Sequence, residues 1–180
     1  MTGRSFLGGL KGGDIPRGYA LSGRERHTHA RFDNLGYPAR AIRTEDYLYI
    51  RNFKPDRWPA GDPDGYHDID DSPTKTLLIE NRDTYPALFE LAVGKRPEEE
   101  LYALKNDPGC VSNVAQHADH VETCRALRDT LMAALTEQGD PRALGTGDIF
   151  ESYPRVSHMR PQLGGFAERG QYNPKCQPKP

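Results

Sequence analysis

The sequence predicts an α+β fold in which a β-hairpin and one long amphipathic helix form most of the regular structure. Residues 39–44 and 47–50 have strand composition, and a short polar turn separates them. Residues 118–138 repeat apolar side chains at steps of three and four, as an amphipathic helix does, until Gly139 and Pro141 end the pattern. The apolar stripe of this helix consists of Val121, Cys124, Leu127, Leu131 and Leu135.

Composition limits the size of the core. The chain has 180 residues, a common size for one domain, but 18 are glycine, 15 are proline and only 36% are hydrophobic. Much of the chain is therefore expected to be loop. The net charge of −2 gives no overall basic excess, which argues against general nucleic-acid binding.

Charge is unevenly distributed along the chain. Residues 23–57 carry eight Arg and Lys against five Asp and Glu, whereas residues 61–83 carry two against seven. The basic stretch begins with the loop GRERHTHAR at 23–31, which leads into the hairpin and places His27 and His29 among arginines. Loops on a rigid scaffold often carry binding groups, so local anion recognition is one interpretation. A solvated basic surface without a ligand is the other.

Shorter elements flank the hairpin. Residues 18–22 are predicted to form a strand that leads to the basic loop. Ser72 is a predicted N-cap, with Pro73 as the first helical residue before a helix at 74–81. A second short helix is predicted over Pro86–Val93 and ends at Gly94. Its inward side chains are predicted to be Leu88, Phe89 and Ala92.

The remaining segments are mostly loop. Residues 101–104 have strand composition, and the turn sequence at 106–109 follows them. Trp58, the only tryptophan, is predicted to attach a proline-broken loop to the body of the protein. Beyond Asp140 the Gly- and Pro-rich chain has few apolar residues to pack, and from Ser157 onward it is expected to be mobile or docked along a larger body.

The sequence contains no recognisable metal motif. Cys110, Cys124 and Cys176 are widely spaced and form no CxxC pair, which argues against a structural zinc site. Cys124 lies on the apolar stripe and is predicted to be a small core residue. The carboxylates at 68–71 lack the glycine and glutamate of an EF-hand loop, so helix capping is the better interpretation.

No window approaches the ~20 apolar residues of a membrane-spanning helix. The first residues have neither the apolar core nor the cleavage pattern of a signal peptide. They resemble the interior of a longer protein, so we expect a truncated sequence.

Three segments resemble the type I sulfatase family. ELYALKNDPGCVSNVA, at 100–115, is similar to a strand and turn near the C-terminus of these enzymes. GRSFLGGLKG, at 3–12, resembles the segment that ends their catalytic domain. ERHTHARFDNLGYPARAIRTEDYLYIRNFKPDRWPAG, at 25–61, resembles the heparan N-sulfatase (sulfamidase) branch. The resemblance extends to about residue 155.

The resemblance implies an α/β sulfatase fold, of which this chain would be the C-terminal part. Residues 1–35 would end the catalytic domain, and residues 36–138 would form the C-terminal subdomain. In the family this subdomain is a small four-stranded antiparallel sheet with a long packed helix. Residues 139–180 would be an extended Gly- and Pro-rich tail.

The family's catalytic groups are expected elsewhere. Its nucleophile is a formylglycine made from Cys or Ser in C/S-x-P/A-x-R, and neither Cys110 nor Cys124 is followed by that pattern. Its calcium ion stabilises charge on the sulfate, and the carboxylates that hold it belong to the N-terminal catalytic portion. We therefore expect calcium and formylglycine in the full-length enzyme, none bound by this chain, and no hydrolysis by this chain alone.

Substrate recognition is the role that the resemblance leaves to this chain. The resemblance implies Arg26, His27, His29 and Arg40 as binding residues for a sulfated glycan, because the sulfamidase branch places a histidine pair from the corresponding loop at the substrate pocket. The guanidinium groups of the arginines can form paired hydrogen bonds with sulfate oxygens. Arg40 and Arg43 match a family pattern and could instead pair with the acidic stretch.

Two functions follow from this resemblance. The chain is either the C-terminal piece of a sulfatase that hydrolyses sulfate esters or sulfamates of glycans, or a stand-alone module that binds an anionic sugar. The first requires the missing N-terminal catalytic domain as partner. The family resemblance implies a periplasmic or secreted location.

Overall fold

A four-stranded antiparallel sheet forms the centre of the molecule in a computed structural model, and the strand order β1-β2-β3-β4 follows the chain. The strands are β1 (Ala20–Arg24), β2 (Ala39–Arg43), β3 (Tyr47–Asn52) and β4 (Glu99–Ala103). The helices are α1 (Leu7–Leu10), α2 (Pro73–Glu80), α3 (Pro86–Val93) and α4 (Val121–Glu137). The structure describes residues 5, 7–13, 18–27, 31, 35–63 and 65–153.

The predicted hairpin is confirmed as β2 and β3. Thr44 closes the turn, since its amide donates to the Tyr47 carbonyl at 2.9 Å and its Oγ1 accepts from the Tyr47 amide at 3.0 Å. In this register Ile42 lies opposite Tyr49, and Tyr49 lies opposite Leu101 of β4. These three side chains have no exposed surface and form one buried face of the sheet.

Helix α4 covers that face. Its buried side chains Cys124, Leu131 and Leu135 pack against the sheet, as the sequence periodicity predicts. The predicted architecture, a small antiparallel sheet with a long packed helix, is therefore confirmed. Val121 is an exception, because it begins the α-helix and is 46% exposed, so the buried stripe starts at Cys124.

A second, smaller core lies under α2 and α3. The Ser72 side chain accepts a hydrogen bond from the Lys75 amide at 3.2 Å, which confirms the predicted N-cap. Phe89 packs edge to face against Tyr66 in this core. Leu88 is 55% exposed, so the prediction that it points inward was wrong.

Trp58 attaches its loop to this second core, as predicted. Its ring meets Tyr66 edge to face, with ring centroids 6.0 Å apart, and Lys95 Nζ lies 5.2 Å from the Trp58 ring centroid. The long loop after β3 is thereby held against α3, and it stands next to the basic loop described below.

The chain beyond α4 packs more than the sequence predicts. Two turns and a 3₁₀ helix (Gly147–Ser152) follow Asp140, and Arg142 is only 6% exposed. Charge rather than apolar burial holds this segment in place. The segment predicted to be mobile, from Ser157 onward, lies outside the described residues. In the part of the chain that is described, no helix is both long and apolar enough to cross a membrane.

Replacing Leu131 tests whether the α4 stripe sets stability. Leu131→Ala removes a side chain with no exposed surface, and we expect the free energy of unfolding to fall by about 2–5 kcal/mol in urea denaturation. Val121→Ala on the same helix is the matched control and should change it by less than about 0.5–1 kcal/mol. Equal losses for the two variants would contradict the packing described here.

Candidate functional site

The basic loop begins in the last residues of β1, and three of its side chains contact one buried carboxylate, Asp68. The Oδ2 atom of Asp68 accepts hydrogen bonds from Nη2 of Arg24 at 2.6 Å and from Nη2 of Arg31 at 2.5 Å. The Asp68 side chain has no exposed surface, so the two guanidinium groups supply the charge that a buried carboxylate needs. We call Arg24, His27, Arg31 and Asp68 the Asp68 cluster.

His27 lies on the solvent side of the Asp68 cluster. Its Nδ1 atom is 3.3 Å from the Asp68 backbone oxygen and 3.5 Å from the Asp68 carboxylate. Its side chain is 59% exposed, so the imidazole is not packed beneath the strands. His29, the other predicted histidine, lies outside the described residues.

Arg31 is the buried arginine of the cluster. Besides Asp68, it donates from Nε to the Trp58 carbonyl at 2.7 Å and from Nη2 to the Pro59 carbonyl at 2.5 Å. Burial lowers the pKa of Arg31, against the opposing effect of Asp68. Its Nη1 atom is buried and has no hydrogen-bond partner in the described structure, an arrangement that costs about 1–3 kcal/mol.

A second charged group lies behind the loop and is called here the Glu25–Glu151 network. It consists of Glu25, Arg26, Arg40, Arg57, Asp140, Arg142 and Glu151. Glu25 accepts from Nη2 of Arg40 at 2.7 Å and from Nη2 of Arg142 at 2.9 Å. Glu151 accepts from Nη1 of Arg57 at 2.7 Å. The network therefore joins the basic loop, β2, the Trp58 loop and the segment after α4.

Two predicted binding residues, Arg26 and Arg40, lie in this network. Arg26 pairs with Glu151 at 3.4 Å. Arg40 makes five hydrogen bonds, to the side chains of Glu25 and Asp140 and to two backbone carbonyls, which uses all five N–H donors of its guanidinium group. It pairs with these carboxylates and not with the acidic stretch at 61–83. Whether either arginine touches a substrate stays a prediction.

Two glycines make room for the buried arginines. Gly23 pairs with Arg40 across β1 and β2, and a Cβ atom at Gly23 would lie 2.8 Å from Arg40 Cδ. A Cβ atom at Gly147 would collide with Arg142 Cδ. A side chain at either position would displace a guanidinium group, so these sites require glycine because of close approach.

The network shifts the acidity of its carboxyl groups. Burial raises the pKa of Asp140, but hydrogen bonds from Arg40 and the Arg142 amide outweigh burial and hold it below the usual aspartate value. Burial likewise raises the pKa of Glu151, and Arg57 with the Gly36 amide lowers it below the usual glutamate value. Both groups are therefore stabilised as carboxylates in the folded protein.

Basic residues of the Asp68 cluster and of the Glu25–Glu151 network differ in their exposure to solvent. Arg40 and Arg142 are buried and fully engaged in holding chain segments together, whereas Arg24 and His27 are 44% and 59% exposed. Exposed cationic donors held by a buried carboxylate form a surface that can bind an oxyanion. We call Arg24 and His27 the cationic rim.

Sequence analysis missed the residues that organise this site. Asp68 was considered only as a calcium ligand or cap, and Arg31 and Glu151 were not singled out. The opposite charges of 23–57 and 61–83 were the available signal, and Asp68 does pair with Arg24 and Arg31 from the basic stretch. Spacing alone does not identify which of seven acidic residues makes the contact.

A calcium site requires several oxygen ligands that converge on one point. Among the described residues, no three His, Cys, Asp or Glu side chains converge as a metal site would require. Asp68 is already engaged by two arginines. Cys124 is buried in the core, as predicted, and burial raises the pKa of its thiol, which disfavours the nucleophilic thiolate.

Comparison with known proteins gives one clear relative. Over 177 residues the chain is 28% identical to an ulvan-active sulfatase from Formosa agariphila. The chain is similar to part of a sulfatase. The match covers 89% of this chain and 26% of the relative, so the chain spans about a quarter of the length of the curated protein it matches. No protein-family model matches the chain.

Two solved structures show weaker likeness. One is a candidate sulfatase from Bacteroides thetaiotaomicron, with a TM-score of 0.46 and 18% identity. The other is a 2-O GAG sulfatase, with a TM-score of 0.46 and 19% identity. Each comparison covers 78% of this chain and 21% of the other.

The lowered pKa values predict how stability depends on pH. A carboxyl group with a lowered pKa in the folded state stabilises the protein above its unfolded pKa, and this stabilisation is lost as pH falls through the folded value. The ordinary values are 4.5 for Glu151 and 3.8 for Asp140. We therefore expect the free energy of unfolding, measured in urea, to fall progressively below about pH 4.5.

The variant Glu151→Gln separates the contribution of this network to the pH dependence of stability from general acid denaturation. The free energy of unfolding of the variant should be about 1–3 kcal/mol lower at neutral pH, because Arg57 and Arg142 lose a charged partner. Below pH 4.5 it should fall less steeply with pH than that of the parent protein. Glu122→Gln, in an exposed pair on α4, is the control and should follow the parent profile. A Glu151→Gln profile parallel to the parent would show that Glu151 does not carry this dependence.

Proposed function

We propose that this chain is the C-terminal portion of a sulfatase that acts on sulfated glycans, and that it supplies one wall of the substrate site. The observation that carries the proposal is the similarity to an ulvan-active sulfatase across 89% of the chain. The formylglycine nucleophile and calcium ion would belong to the remainder of such an enzyme. They would supply the attack on sulfur and the charge stabilisation at the sulfate.

The cationic rim is the proposed contact with the sulfate or with a neighbouring anionic group. Asp68 engages Nη2 of Arg24, which leaves other donors of that guanidinium group available. When its ring is protonated, His27 can donate from Nδ1 to Asp68 and from Nε2 to a sulfate oxygen. Because Asp68 fixes both side chains from beneath, the rim is ordered before a ligand binds, which lowers the entropy cost of binding.

In this proposal the other predicted arginines act indirectly. Arg40 has no unused donor, and Arg26 is paired with Glu151. Both would hold the loop that presents Arg24 and His27. His29, two residues after His27 in the sequence, keeps its proposed substrate role. The resemblance to the sulfamidase branch extends the proposal to N-sulfate, with O-sulfate as the alternative.

Binding of sulfated oligosaccharides from ulvan tests the rim. We expect calorimetric titration to give an affinity that falls with added salt, because exposed charges are screened. Arg24→Ala and His27→Ala should each weaken binding by about five- to tenfold, which corresponds to about 1–1.4 kcal/mol for one lost hydrogen bond. The same preparations should not hydrolyse an aryl sulfate.

Arg43→Ala is the matched control for Arg24→Ala. Arg43 is exposed at the opposite end of the β1–β2 pair, where it lies opposite Ala20, whereas Arg24 lies opposite Ala39. If both variants weakened oligosaccharide binding equally, the binding would be nonspecific charge attraction and not recognition by the cationic rim. Turnover of the aryl sulfate by the isolated chain would overturn the claim that catalysis lies elsewhere.

A further inference from the structure

We infer that a pocket beside Trp58 binds an uncharged sugar ring of the glycan, next to the cationic rim. The pocket has a volume of about 190 Å³. Its lining residues are Arg31, Leu35, Asp56, Arg57, Trp58 and Asp62. The identity of the ligand as a glycan rests on the proposed function, whereas the choice of an uncharged ring rests on the lining.

The size and composition of the pocket suit a pyranose. A cavity of about 150 Å³ accommodates a benzene molecule, so this pocket has room for a six-membered ring. Sugars carry hydroxyl groups around a ring with apolar C–H faces. Carboxylates accept from hydroxyls, guanidinium groups donate to them, and an indole packs on C–H groups. In this pocket Asp56 supplies the carboxylate, Arg31 the guanidinium group and Trp58 the indole ring.

The charge balance argues against an anionic occupant. The two arginines of the pocket are already paired, Arg31 with Asp68 at 2.5 Å and Arg57 with Glu151 at 2.7 Å. The carboxylates of Asp56 and Asp62 add two negative charges to the lining. A sulfate or carboxylate entering here would meet these two carboxylates, whereas the guanidinium groups of Arg31 and Arg57 already have carboxylate partners.

Arg31 supplies the observation that points to a ligand. Its side chain is 2% exposed, and its Nη1 atom is buried without a hydrogen-bond partner in the described structure. Buried donors are nearly always paired, so an orphan beside a pocket indicates a missing acceptor. A hydroxyl oxygen can accept this hydrogen bond without bringing a second charge.

Arg31 also connects the pocket to the rim. Its Nη2 atom bonds to the same Asp68 oxygen that accepts from Arg24, and His27 lies 3.3 Å from the Asp68 backbone oxygen. The pocket and the rim are therefore neighbours that share one anchoring carboxylate. A glycan could place a sulfated residue at the rim and an unsulfated residue in the pocket.

The single tryptophan makes this inference directly measurable. Trp58 is the only tryptophan in the chain, so selectively excited tryptophan fluorescence comes from this one side chain of the lining. The probes are methyl glycosides of neutral pentoses, hexoses and 6-deoxyhexoses, each paired with its O-sulfated counterpart. We expect at least one neutral glycoside to change the Trp58 emission saturably, and its sulfated counterpart to bind no more tightly.

Asp56→Asn tests the lining without disturbing the core. Asp56 is exposed, and the variant should bind the neutral glycoside about tenfold more weakly, because a charged acceptor becomes neutral. Asp70→Asn removes the same charge from an exposed residue outside the lining and should leave the affinity unchanged. Calorimetry on the same samples checks that the emission change reflects binding, and equal urea midpoints check folding.

The outcomes separate this inference from the proposed function. Saturable emission changes that weaken in Asp56→Asn and not in Asp70→Asn support the pocket. If sulfated ulvan oligosaccharides bind through Arg24 while no neutral glycoside alters Trp58 emission, the pocket is overturned and the proposed function stands. The proposal of a neutral-sugar pocket is also overturned if the sulfated counterpart binds more tightly at Trp58, or if the two Asn variants have equal effects.

Discussion

The ion pair between Glu25 and Arg142 is the interaction on which the functional region depends. It joins residues 117 positions apart, one just after β1 and the other just after α4. The Arg142 side chain is 3% exposed, so removal of its partner would leave a buried charge uncompensated. This pair fixes the segment after α4 against the basic loop, and it thereby allows Glu151 to reach Arg57 and the Gly36 amide.

Charge pairs replace apolar burial around the loop. With only 36% hydrophobic residues, the chain forms one core between the sheet and α4 and a smaller core under α2 and α3. The described residues of the basic loop belong to neither of these two hydrophobic cores. Instead, the Asp68 cluster holds its outer side and the Glu25–Glu151 network holds its inner side. These contacts hold the described residues of the loop in place and still expose Arg24 and His27.

Local sequence signals predicted the regular elements well. Hairpin composition located β2 and β3, the Ser72–Pro73 pair located the start of α2, and apolar periodicity located α4. Each of these signals lies within a few residues of the element it predicts. Val121 and Leu88 were assigned inward because periodicity defines a helical face but not where the neighbouring element ends.

Charge pairing was not predictable in the same way, because an ion pair leaves no periodicity in the sequence. The contacts of Arg40 with Asp140 and of Arg26 with Glu151 span 100 and 125 residues. The segment after Asp140 was therefore expected to pack little, since it has few apolar residues. Its partners are buried arginines on other elements, which only the folded structure brings together.

A double-mutant cycle on Glu25 and Arg142 tests the central claim most directly. Glu25→Gln, Arg142→Met and the double variant are compared by urea denaturation at neutral pH. If the pair organises the region, the two single losses will not add, and the coupling free energy will be about 1–3 kcal/mol. Additivity within about 0.5 kcal/mol would show that the two side chains act independently, and this account of the loop would be wrong.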